Sequence, residues 1–162
     1  MSVTTANPNL PDLTCIDVLD TLSGALSRVG TVCIPVSGRS MGMSFAAVRE
    51  IVVVPFDPAA VRFGSVIVFQ RDGRWIVHRV LYILDRNGAR GYVTKGDGLA
   101  APDRPRVEAA AIRGIVVGLR LENGTTVDLA SRAARWRGQA RAARGWIAVA
   151  VTAVRSALRR ER

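Results

Sequence analysis

The stretch SVIVFQRDGRWIVHRVLYIL, residues 65–84, decides the fold. Its two halves are rich in valine, isoleucine and aromatics, and Asp72-Gly73 separates them, a pair suited to the positive backbone angles of a two-residue hairpin turn. Neither half has helical period. On both sides lie further short β-branched runs: TVCIPV (31–36), REIVVVPF (49–56), RGYVTKG (90–96), IRGIVVGLRLE (112–122) and TTVDL (125–129). Glycine, proline or Asn-Gly separates them. LENGTTV (121–127) predicts a type I′ hairpin, and DRNGARGY (85–92) another through Asn87-Gly88. Six or seven strands in some ninety residues describe a small, coiled antiparallel β-domain.

Helical period flanks this domain. Asp12 is placed to cap a helix over about 13–29, carried by Leu13, Ile16, Leu19, Leu22, Leu26 and Val29, with Gly30 as its stop. Beyond Ala130, Trp136, Ala140, Ala143, Ile147, Val151, Val154 and Leu158 form one stripe; Arg137, Arg141 and Arg144 form another. The chain divides into an N-terminal segment (1–30), a β-domain (31–128) and a basic helical tail (129–162).

The formal charge of +10 on 162 residues is uneven. From Leu129 onward there are nine arginines and one acid, Glu161, so the β-domain itself is near neutral. Few aromatics interleave with these arginines and no recognition motif accompanies them, which argues against a nucleic-acid partner. Arginines beside an apolar stripe with Trp136 and Trp146 suit the surface of an anionic membrane; a solvated helix docked on the β-domain by its alanine and valine stripe is the other reading. The longest apolar run, Trp146–Val154, is shorter than the ~18–20 residues of a span. The first thirty residues lack the basic start and apolar stretch of a signal peptide. Cytoplasmic or peripherally membrane-bound action is the expectation. Cys15 and Cys33 lie in apolar contexts without metal-ligand spacing and read as buried free thiols.

Chemistry concentrates in VSGRSMGMSF (36–45), where a strand runs into two glycines and several serines. A serine hydroxyl is a weak nucleophile until a base takes its proton. Apart from carboxylates, the sequence offers two bases: His78, its one histidine, and Lys95, its one lysine. Asp97 and Asp103, in GDGLAAPD (96–103), can orient either one.

Taken in order, SGRSM, FGSVIVF, IVHRV and KGD with a later aspartate resemble the type I signal peptidases, particularly the archaeal and endoplasmic-reticulum branch. They also resemble the peptidase domain of self-cleaving phage and SOS repressors, which shares that fold. The resemblance covers about residues 32–118 and implies a mainly β, signal-peptidase-like domain, here with an N-terminal helix and a basic C-terminal helix. It implies Ser40 as nucleophile, His78 as general base, and Asp97 and Asp103 as the acids supporting the base or its strand. Lys95 falls in the KGD block rather than at the base position. Gly38, Met41 and Met43 are the candidate substrate-binding residues, the two methionines as walls of a shallow cleft. Met43 replaces the usual proline, Gly38 stands where many members carry serine, and Gly64-Ser65 replaces the usual Gly-Asp.

The implied activity is serine endopeptidase cleavage of a precursor or signal peptide, with small residues before the scissile bond. The substrate would pair as a strand beside the one leading to Ser40. No cofactor or metal is implied. The alternative is a regulatory or binding module of the same fold with little turnover. The N-terminal segment is too short for a helix-turn-helix, and the Ala-Gly or Cys-Gly bond at which those repressors cleave themselves does not occur.

Overall fold

In a computed structural model the structure describes residue 22 and residues 24–86 and 89–160. The predicted N-terminal helix is seen at Leu22 and residues 24–29; the rest of it, Cys15 and the Asn87-Gly88 turn lie outside the described residues. Among the described residues, eight strands form one antiparallel sheet: β1 (Val32–Pro35), β2 (Val48–Pro55), β3 (Val66–Arg71), β4 (Arg74–Arg86), β5 (Ala89–Lys95), β6 (Val107–Glu108), β7 (Ile112–Leu121) and β8 (Thr126–Asp128). Their order is β1-β2-β7-β3-β4-β5-β6, with β8 on β7. A helix, α1 (Arg132–Arg160), follows. The two-residue β6 carries no sequence signal of its own.

Both faces of the sheet are covered, which explains why Val66-Ile67-Val68-Phe69 does not alternate with polar residues. Val66 and Val68 join Leu22, Leu26, Met41, Ile51, Val53, Val116 and Leu119 in one core. Ile67 and Phe69 join Val61, Val80, Tyr92, Val107, Ile112 and Ile115 in the other. Register breaks at Val48/Glu50, Val52/Val53, Val68/Phe69 and Val80/Tyr82 add the local twist that lets one sheet serve two cores.

One of the two described hairpin turns matches the sequence reading and the other does not. Asp72 (φ 51°) and Gly73 (φ 70°) both take positive φ, the type I′ signature, and Arg71 pairs with Arg74. At LENGTTV, Gly124 (φ 82°) has positive φ while Asn123 does not. There the Gly124 N–H donates to Leu121 O and the Leu121 N–H to Thr125 O, so the loop is longer than a two-residue turn.

Helix α1 meets the sheet through its small residues. Ala134 and Ala142 are buried, and at Gly64 (φ 87°) a Cβ would lie 2.8 Å from the Gly138 carbonyl carbon and the Gln139 nitrogen. The helix backbone therefore rests against the backbone of the loop before β3. Within the apolar stripe Trp136 is 72% and Ile147 59% exposed, and Trp146 beside it is 55% exposed. No helix among the described residues is long and apolar enough to cross a membrane.

Candidate active site

The loop after β1, the middle of β4 and the turn after β5 converge on one cleft. β1 ends at Pro35, and Gly38 (φ 110°) turns the chain into residues 39–42. The Gly42 N–H donates to Arg39 O, and the short 3-10 helix Gly42–Phe45 follows. Met41 is buried in the first core and anchors this loop, leaving Ser40 half-buried beside it. A cleft of about 320 Å³ is lined by Gly38, Ser40, Met41, Trp75, Val77 and His78, with Leu99 among the other walls.

His78 comes from β4, opposite Ile67, and its ring sits edge-on to Phe69. It is 4% exposed, and its Nδ1 lies 2.7 Å from Asp103 Oδ2. Donation from Nδ1–H to that carboxylate leaves Nε2 free to accept a proton. The acid is fixed in turn: the Thr94 hydroxyl donates to the same oxygen at 2.5 Å, and the Asp103 N–H donates to Thr94 O at 2.8 Å. Thr94, fully buried on β5, is a positioning residue that the sequence reading did not single out.

Gly96 links the base to the serine loop. A Cβ placed there would collide with the Ser40 carbonyl oxygen and come within 2.9 Å of His78 Nε2. The Gly98 N–H also donates to Ser40 O at 2.9 Å. The turn after β5 thus holds the Ser40 loop against the open nitrogen of His78. The sequence signal for this was the paired glycines of KGDG.

Two residues stand elsewhere than the sequence placed them. Asp97 does not touch His78. It makes a two-point pair with Arg79, Nε–Oδ1 at 2.8 Å and Nη2–Oδ2 at 2.7 Å, while Arg79 Nη1 donates to Gly64 O at 2.8 Å. Burial raises the Asp97 pKa, but the Arg79 hydrogen bonds and charge, with the Ser44 hydroxyl and Arg141, outweigh it and hold the carboxyl below its ordinary value. Adjacent residues on a strand point to opposite faces, so His78 and Arg79 recruit different acids. Met43 is 90% exposed and is not among the residues lining the cleft.

Lys95 follows Thr94 and faces away from His78, its ammonium donating to Gly96 O at 3.2 Å. On the cleft wall, the buried Trp75 indole N–H has no acceptor among the described residues. No group of His, Cys, Asp and Glu among the described residues is arranged to hold a metal ion.

The arrangement provides a hydroxyl and an imidazole lining one cleft, and a part-buried carboxylate hydrogen-bonded to the imidazole. These are the parts of a nucleophile–base–orienter system. Comparison of the chain with protein-family models, with curated proteins and with solved structures gives no match in any of the three.

Proposed function

We propose that the protein is a serine endopeptidase with a signal-peptidase-like fold, cleaving an extended precursor segment through Ser40, His78 and Asp103. The observation that carries this reading is that His78 Nε2 and the Ser40 main chain both approach Gly96 in one cleft, with Asp103 on the far nitrogen of the imidazole. Ser40 Oγ attacks the scissile carbonyl as its proton passes to His78 Nε2, and Asp103 stabilises the imidazolium. The oxyanion forms beside the Ser40 backbone N–H. On collapse, the C–N bond breaks and Nε2 returns the proton to the leaving amine; water then hydrolyses the acyl-enzyme with the same base. Asp97 acts at one remove, holding the turn that contains Gly96. The substrate meets the enzyme at an anionic membrane surface, where the arginines and outward Trp146 of α1 provide contact.

The test is cleavage of peptides carrying an apolar segment followed by small residues. Ser40→Ala, His78→Ala and the double variant should all lose activity to a similar low level, because a nucleophile and its base act as a unit. A Ser40→Ala variant as active as the wild type would end the endopeptidase reading.

A further inference from the structure

A second cavity, of about 380 Å³, lies on the other side of the turn after β5, under α1. Lys95, Arg141 and Arg144 converge on it, with Ser44 and Asp97. Lys95 is 5% exposed, and a Cβ on Gly145 would lie 3.8 Å from its Nζ, so the ammonium is covered by the helix. Its acceptor is the Gly96 carbonyl. Among the described residues, no carboxylate forms an ion pair with Lys95, Arg141 or Arg144. The one acid in the lining, Asp97, feels the charge of Arg141 but already has the Arg79 guanidinium on both its oxygens.

Burying an ammonium without a counter-charge is costly, and three cations around one cavity are mutually repulsive unless an anion joins them. A phosphate group suits the donors: its oxygens can accept from an ammonium and from guanidinium forks together. The surroundings indicate its source. Leu81 lines both this cavity and an adjoining apolar groove of about 330 Å³ formed with Phe63, Tyr82, Ala143, Trp146 and Ile147. A phosphate held by Lys95 and Arg144 therefore has apolar surface next to it, with Trp146 at the boundary, as an anionic headgroup and its acyl chains require.

We propose that the cavity between the end of β5 and α1 binds the phosphate of an anionic phospholipid, with Lys95, Arg141 and Arg144 as its ligands. This site is independent of the catalytic reading. The test uses the full chain and two probes, inorganic phosphate by calorimetry and sedimentation with phosphatidylglycerol vesicles. Lys95→Gln with Arg144→Gln should weaken both by at least about tenfold, the loss of one charge-assisted hydrogen bond or more. Arg144→Gln alone, at an exposed position, should weaken both in the same direction and reports on the site even if the Lys95 variant folds poorly. Arg132→Gln with Arg137→Gln removes the same charge from outside the cavity and should change phosphate affinity less than twofold. Equal weakening by the two double variants, or phosphate binding that does not saturate, would overturn the proposal in favour of diffuse charge. Saturable phosphate binding without a matching vesicle effect would overturn the lipid assignment and leave a soluble phosphate compound as the ligand.

Discussion

At the scale of single residues, the account depends on what holds an imidazole still. The Nδ1–Asp103 bond holds the ring in place with Nε2 on its other side, and Thr94 fixes Asp103. Asp103→Asn should therefore lower kcat by on the order of 10²–10⁴ while KM changes little, because the wrong tautomer is favoured but substrate contacts persist. Thr94→Val should show a smaller loss of the same kind. Gly96→Ala should also lower kcat, by on the order of 10², since its methyl would push the Ser40 loop away from Nε2 and a shift of about 1 Å has that effect. Steady-state kinetics on all three, beside thermal unfolding, separates lost chemistry from lost fold. That Ser40 and His78 belong together was suggested by their ordered blocks, and they line one cleft. The choice between Asp97 and Asp103 was not legible, because a spacing of six residues across a turn does not say which acid returns to the strand. Thr94 and Gly96 matter through backbone approach and a second hydrogen bond, which leave no signature in residue type alone.

Among the elements, the Asp97–Arg79–Gly64 connection joins the turn after β5, strand β4 and the loop on which α1 rests. Removing one partner of such a buried pair costs about 3–5 kcal/mol, so Asp97→Asn should be markedly less stable at neutral pH. The pH dependence follows from the lowered folded-state pKa of Asp97. Its contribution is fully present above the unfolded carboxylate value of about 3.9 and is lost as pH falls through the lower folded value. The stability gap between wild type and Asp97→Asn, measured by urea unfolding from pH 7 to pH 2.5, should hold steady to about pH 4 and then shrink. A gap unchanged to the lowest pH would remove the ion pair from the account. Gly64→Ala should cost about 2 kcal/mol or more through its left-handed backbone and the 2.8 Å approach of α1. The β-strands and the Asp72-Gly73 turn were readable because β-branched runs and turn pairs are local signals. The packing face of α1 was not. A helical stripe records amphipathy without saying which side meets the protein, and Ala134, Gly138 and Ala142 dock by being small rather than by being hydrophobic.

Across the whole molecule, α1 both caps the β-domain and carries most of its charge. Ending the chain at Ala130 should cost about 2 kcal/mol, the order expected from losing the burial of Ala134 and Ala142 and uncovering the surface they pack on, and lower Tm by roughly 4–8 °C. An unchanged Tm would make α1 an appendage instead of part of the fold. The outward Trp136, Trp146 and Ile147 then leave the helix free to meet a membrane without leaving its place on the sheet. The central claim, that Ser40 is a nucleophile made reactive by His78, can be tested without knowing the substrate. A fluorophosphonate probe should form one covalent adduct, located on Ser40 by peptide mass mapping, absent in Ser40→Ala and slowed by at least about a hundredfold in His78→Ala. No adduct on Ser40 in the folded wild-type protein, or equally fast labelling without His78, would contradict it.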